Sequence, residues 1–476
     1  VAAGELEARL RAAVARDLAE PNVAMLEPED RREFARQRIL AWLERHAGEQ
    51  FAQGRPPLTP GEERSMGQAV LDVLFGLGRL QALVDDPTIE NIDVNGYDRV
   101  WITRADGTKE TGAPVADSDE ALIEVIRSAA ARLGLSERRF DTGRPELDLR
   151  LPDGSRLSAV MAVSARPAVS IRRHRFVDVT LDDLVTMGSM DGEVASLLAG
   201  AVRARKNIVV SGAMNSGKTT LLRALASEIP RRERLVTIEQ AFELGLDRVP
   251  ARHPDVVALE ARPSNVEGEG EIGVAALVRR ALRMNADRVI VGEVLGDEII
   301  PMLNAMSQGR SGSMCTIHAD SSAGTFRRIA SYAVQAPERL PVESTNLLIA
   351  GAIHFVVHLE VEASAVTERV DPAELPAGLV GEPGRFRGPG DPEVPDPWST
   401  GPDVVFGPPA RRCRFVSSVR EVVDVDGPQL LSNELFRPGA GRRAEPAAPL
   451  RPETRRELVA AGYDPGGRSG AALVGR

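Results

Sequence analysis

Lysine is what this sequence most nearly lacks. Of 59 basic residues only Lys109, Lys206 and Lys218 are lysine, and the remaining 56 are arginine. A coding bias in a GC-rich genome accounts for most of that. It also makes any motif that requires lysine hard to meet by accident. Cysteine is scarcer still: Cys315 and Cys413 stand far apart, so no disulfide framework is expected and a reducing cytoplasm is the default. No apolar run is long enough to cross a bilayer, and the opening Glu5, Glu7, Arg9 and Arg11 do not have the layout of a signal peptide. The expectation is a cytoplasmic protein that meets the inner face of the cell membrane peripherally, through a partner. A basic excess is also missing. With a net charge of −10, direct contact with nucleic acid is not expected.

What is present is a soluble, globular composition, 43% hydrophobic and 27% charged, in a chain too long for one ordinary core. Apolar positions at helical spacing among many charges, and then the prolines of Gly54–Pro60, predict a helical arm and linker over 1–60. A smaller α+β domain is expected over 61–176. Its strands are read at Ile89–Val94, Arg99–Arg104, Glu146–Leu151 and Arg156–Val163, with turns at Asn95-Gly96 and Pro152-Asp153-Gly154-Ser155. Over 177–362, apolar strands alternate with helices. This implies an α/β domain with a mostly parallel central sheet, its strands read at Asn207–Val210, Arg234–Ile238, Arg288–Val291 and Ser313–Ile317. A Pro/Gly-rich mobile loop is expected over 363–410, with C-terminal strands and a polar tail over 411–476.

One of the three lysines lies in Gly212-Ala213-Met214-Asn215-Ser216-Gly217-Lys218-Thr219-Thr220, which fits the P-loop pattern G-x-x-x-x-G-K-[ST]. Phosphates need a concave row of backbone N–H donors, which glycine lets the chain form, and the following helix N-terminus adds partial positive charge. Lys218 would neutralise the β- and γ-phosphates of ATP, and the Thr219 hydroxyl would ligate Mg²⁺. By residue frequencies the pattern arises by chance in roughly a few sequences per thousand of this length. The strand before it and the amphipathic helix after it lower that further. A second element, Arg288-Val289-Ile290-Val291-Gly292-Glu293, is a hydrophobic strand ending in a carboxylate, as a Walker B requires. Glu239 and His318 each end another apolar strand. A lone histidine is ordinarily a hydrogen-bonded core residue.

In order and spacing these elements resemble the secretion ATPases of the type II/type IV superfamily. The shared features are the Walker A, the Asp box Thr237-Ile238-Glu239-Gln240-Ala241-Phe242-Glu243-Leu244, the Walker B ending in Gly292-Glu293, and the His box ending in Thr316-Ile317-His318-Ala319-Asp320-Ser321. Leu83–Gly96, Arg150–Arg156 and Ser170–Arg173 point to the CpaF-like branch of tight-adherence pili. The resemblance implies a RecA-like fold, with Glu293 as catalytic carboxylate, Glu239 and Glu243 as acidic partners of the metal site, and His318 as the His-box residue. Thr219, Glu239 and Glu293 become the residues about Mg²⁺. It also implies a homo-hexamer with an inner-membrane platform protein as partner, driving pilus assembly or secretion. Gln240, Leu295, Arg310 and Asp320 depart from the family pattern. They keep open a nucleotide-gated ring with weak hydrolysis, beside a third reading as a DNA-transfer ATPase. Finally, γ-phosphoryl transfer calls for cations beyond Lys218, and the strand arginines Arg150, Arg156 and Arg172 are the expected donors.

Overall fold

In the computed structural model the described residues are 3–105, 107–133, 139–173, 178–262, 264, 269–307, 311–363 and 412–465. The loop expected over 363–410 and Arg310 therefore lie outside them, apart from residue 363 itself. The chain divides into two compact units, one built from the described residues up to Arg173 and the other from those beyond.

The first unit begins with the helices Ala3–Leu18 and Pro28–Ala52, joined through the single turn Pro21–Ala24. Thr59 then caps the helix Pro60–Phe75. Its hydroxyl accepts from the Glu62 N–H, and the Glu62 carboxylate accepts from the Thr59 N–H at 2.7 Å. Met66, Val70 and Leu71 of that helix pack with Leu10, Val14, Ile39 and Leu43, so its apolar face completes the core of the arm. Next comes a six-stranded antiparallel sheet in the order β3-β2-β1-β6-β5-β4. Its strands are β1 (Ile89–Asn95), β2 (Val100–Arg104), β3 (Lys109–Gly112), β4 (Glu146–Arg150), β5 (Arg156–Val160) and β6 (Ala168–Arg172). One face alternates Leu147, Leu149, Leu157, Ala159, Val169 and Ile171 inward, under Leu122, Ile126 and Ala129 of the helix Asp119–Leu133. That alternation sends Arg150, Arg156 and Arg172 to the other face. Register then aligns them, Arg150 opposite Arg156 and Arg156 opposite Arg172, as one row across three strands.

The second unit is built on a nine-stranded mixed sheet, in the order β15-β14-β13-β12-β7-β11-β10-β8-β9. The strands β7 (Ile208–Gly212), β8 (Leu235–Glu239), β9 (Val256–Glu260), β10 (Arg288–Val294), β11 (Met314–His318) and β12 (Phe355–Ala363) run parallel. The strands β13 (Arg412–Asp426), β14 (Gln429–Pro438) and β15 (Ala444–Pro446) continue the sheet antiparallel from β12. Mostly parallel is thus right for the central part, and the C-terminal strands belong to the same sheet. All five residues of β7 and of β8 are buried, as expected of parallel strands covered on both faces. On one face Leu221 and Leu222 of the helix Lys218–Ala226 pack with Val210, Val357 and Val416. On the other, the helices Ser322–Gln335 and Val342–Ala352 place Ile329 and Ile349 against Val209, Cys315 and Val356.

Candidate functional site

Parallel strands bring their carboxyl ends to one edge, and there β7, β8, β10 and β11 end in the residues the sequence singled out. The loop after β7 turns because Asn215 and Gly217 take left-handed conformations, with φ of 60° and 92°. Gly212 is required for a different reason. A Cβ there would lie 2.7 Å from the Leu359 carbonyl oxygen of the neighbouring β12. Ala213, Met214 and Asn215 are exposed, Ser216 and Lys218 are buried, and Thr219 and Thr220 are half-buried at the head of the helix.

Lys218, Glu293 and His318 come together from three elements. The Lys218 ammonium donates to the Ala213 carbonyl at 2.9 Å and lies 3.1 Å from His318 Nδ1 and 3.8 Å from Glu293 Oε1. His318 Nε2 is in turn 2.8 Å from Glu293 Oε1. His318 is thus no solitary core histidine, because it bridges the lysine and the strand-end carboxylate. Below them, Thr316 donates its hydroxyl proton to the Gly292 carbonyl at 2.7 Å, tying β11 to β10.

Glu239 enters from β8, 4% exposed. Its Oε1 accepts from the Glu243 and Leu244 N–H groups at 2.8 and 2.7 Å, which folds the Asp box back over the strand end. Oε2 is buried without a partner. The carboxyl is pushed up to about 7, chiefly by burial, although the two backbone donors favour its ionised form. Gly292 makes room for it, since a Cβ there would be 2.9 Å from Glu239 Cγ. Arg223, from the P-loop helix, secures the box by donating to the Glu243 and Leu244 carbonyls.

Two orphaned polar atoms, Ser216 Oγ and Glu239 Oε2, fit a site built to receive further polar groups. Among the described residues no cluster of three or more His, Cys, Asp or Glu side chains is arranged to hold a metal ion. The oxygen donors at this edge, the Thr219 hydroxyl and the Glu239 and Glu293 carboxylates, are of the hard kind that Mg²⁺ takes. Of the departures from the family pattern, Gln240 and Leu295 are exposed. Asp320 lines a cavity of about 370 Å³ with Ala213, Asn215, His358, Glu360 and Arg442. His358 faces Ser211 through Nδ1 at 2.9 Å, and burial lowers its pKa.

Arg150, Arg156 and Arg172 lie in the first unit, where Arg156 pairs with Asp148 at 3.7 Å. One residue near the loop escaped the sequence reading altogether. Arg414 of β13 donates its Nε to the Asn215 carbonyl at 2.9 Å. No motif surrounds it, and only the register of β12 with β13 brings it there.

Comparison with known proteins finds a family and several relatives. A family model described as "Type II/IV secretion system protein" matches residues 75–369. A putative conjugal transfer protein of Mycobacterium tuberculosis is 34% identical over 295 residues, covering 60% of this chain and 80% of the relative. The type IV secretion system protein VirB11 of Brucella suis is 31% identical over 316 residues, covering 60% and 85%. The crystal structure of the Brucella suis VirB11 ATPase in complex with sulphate aligns over 63% of this chain and 92% of that one, with 30% identity and a TM-score of 0.31.

Proposed function

Because the chain belongs to the type II/IV secretion system protein family, we propose that it is a Mg²⁺-dependent ATPase, a hexameric motor that powers pilus assembly or protein secretion at the cytoplasmic face of the membrane. The observation that carries the reading is the meeting of Lys218, Glu293 and His318 at the mouth of a P-loop. Lys218 holds the β- and γ-phosphates, and the loop's N–H groups and helix N-terminus cradle them. Glu293 orients the attacking water and accepts its proton, while His318, hydrogen-bonded to it, keeps the carboxylate aimed. Glu239 and Glu243 supply the acidic partners of the metal site, and Thr219 offers its hydroxyl. Mg²⁺, when bound, neutralises charge on the phosphates. Arg150, Arg156 and Arg172 are proposed to serve the γ-phosphoryl group as planar, always-charged donors.

The CpaF-like assignment and the platform-protein partner belong to this proposal and rest on the motifs of the N-terminal unit. No helix among the described residues is long and apolar enough to cross a membrane, which is compatible with attachment through such a partner. Similarity to a putative conjugal transfer protein favours a second reading, a motor for DNA transfer. Deleting the gene separates the two, since one predicts loss of pili or secreted protein and the other loss of transfer with piliation intact.

The activity itself is tested by two variants. Lys218→Ala abolishes ATP binding and hydrolysis, whereas Glu293→Gln binds ATP but turns it over at least about a hundredfold more slowly. Titration calorimetry and phosphate release read the two effects separately. Wild-type ATP affinity in Lys218→Ala, with turnover intact, overturns the assignment.

A further inference from the structure

Arg414 stands 199 positions after the residue it touches, on a strand that carries none of the nucleotide motifs. Its Nε donates to the Asn215 carbonyl at 2.9 Å, and its Cδ lies 3.5 Å from where a Cβ on Gly217 would be. The side chain therefore spans the loop from 215 to 217, the stretch in which both left-handed residues occur.

Its footing is firm. Arg414 pairs with Val361 across the antiparallel β12–β13 ladder, and β12 runs parallel beside β7, which delivers the loop. Val416, two residues on and so on the same face, packs in the cluster that holds Leu221 and Leu222 of the P-loop helix. Loop, helix and arginine thus share one side of one sheet.

The geometry has a consequence for the peptide unit between Asn215 and Ser216. In a trans peptide the C=O and N–H point in opposite directions. A charge-assisted bond that fixes the Asn215 carbonyl therefore also fixes the Ser216 N–H on the opposite side of the peptide, where it donates to the Ala213 carbonyl at 3.3 Å. Convergent inward N–H groups are what make such a loop an anion nest.

We propose that Arg414 is a positioning residue that holds the P-loop in its phosphate-binding shape from the C-terminal strands. The proposal rests on the nucleotide-binding reading given above. Such a residue prepares the ground state and the transition state equally. Its removal weakens ADP and ATP alike and leaves the chemical step nearly untouched.

The test is fluorescence titration of the full chain with mant-ADP and a mant-labelled non-hydrolysable ATP analogue, combined with steady-state turnover. Arg414→Ala is expected to raise both dissociation constants about tenfold, the scale of one hydrogen bond from a charged donor, with kcat at saturating ATP within about twofold of wild type. Arg414→Lys, which keeps the charge but not the Nε geometry, falls between. Arg414→Gln keeps the methylenes over Gly217 and a neutral donor, so it carries the test if the alanine variant melts early. Unchanged affinity in Arg414→Ala overturns the proposal. So does a loss confined to the ATP analogue, which would mean direct contact with the γ-phosphate, or a loss of kcat at unchanged affinity. Lys218→Ala is titrated alongside. If it too binds mant-ADP like wild type, the nucleotide reading fails and takes this proposal with it; if it alone loses binding, only the role of Arg414 falls.

Discussion

Single residues at this site are defined by what they leave unsatisfied. Glu239 is held by two backbone donors yet keeps Oε2 buried and unpartnered, and its pKa is pushed up to about 7. An unfolded glutamate titrates near 4.5, so between 4.5 and 7 the folded chain binds more protons than the unfolded one. Stability attributable to this group is therefore present at acid pH and falls as pH rises through that window, levelling off above 7. Glu239→Gln removes the penalty. Melting curves should show it more stable than wild type by a few degrees at pH 8 and about equal to it at pH 4.5. A difference that does not vary with pH would mean that Glu239 is not buried as a proton-binding group. His318 teaches the complementary lesson. Taken alone a histidine is ordinarily a core residue; the His-box resemblance singles His318 out, and the structure sets it against Lys218 and Glu293, 100 and 25 positions away.

At the scale of elements, β7 does the most to place the site, and its amino end is fastened by one buried side chain. Asn207 is fully buried. It donates to the Met306 and Ala352 carbonyls, and its Oδ1 accepts from the Gly312 and Ser313 N–H groups at 2.8 and 3.0 Å. Two helices and the turn before β11 thus converge on the strand that launches the P-loop. Asn207→Ala would leave four buried backbone groups without partners, at a cost of about 3 kcal/mol or more. Urea denaturation with an unchanged slope and a lower midpoint is the expected result, whereas a midpoint near wild type would mean that water replaces the amide. Legibility also differed by element. The apolar runs of β7, β8, β10 and β11 announce buried parallel strands, and the structure differs from the expected bounds by a residue or two, except that β10 runs three residues further, to Val294. Two edge strands were not among those expected. Lys109–Gly112 has no apolar side chain, whereas Val256–Glu260 does carry an apolar run, Val-Val-Ala-Leu, although it is only half-buried at the sheet edge. The hairpin of β13 and β14 left a mark in Asp426-Gly427, with Gly427 at φ 58°, inside a stretch read only as C-terminal strands and a polar tail. Lys218, Thr219 and Glu293 could be found because local motifs carry them. Arg414 could not, because a sheet register and not a local pattern brings it to the loop.

For the whole molecule the proposed working form is a six-membered ring. Mass photometry at micromolar protein with a non-hydrolysable ATP analogue should show a species of six times the chain mass, and monomer alone would count against it. The row of Arg150, Arg156 and Arg172 bears on the molecule differently. The Pro152–Ser155 turn made the first pairing legible, while the third arginine joins through β6, whose register no local pattern revealed. Three guanidinium groups on adjacent strands repel one another, and Asp148 at 3.7 Å from Arg156 offsets part of that. Dissolved ions weaken such repulsion, since the distance over which charges feel each other shrinks from about 10 Å at 0.1 M salt to about 3 Å at 1 M. Within the sheet this row acts against ion pairs that salt loosens, such as Arg104–Glu110 at 2.6 Å between β2 and β3. The sheet's melting temperature should climb with added sodium chloride, and Arg156→Gln should flatten the climb. An equal fall in both proteins would show that attraction, not repulsion, governs this face. Ionic strength thus becomes a dial on the stability of the arginine-bearing unit.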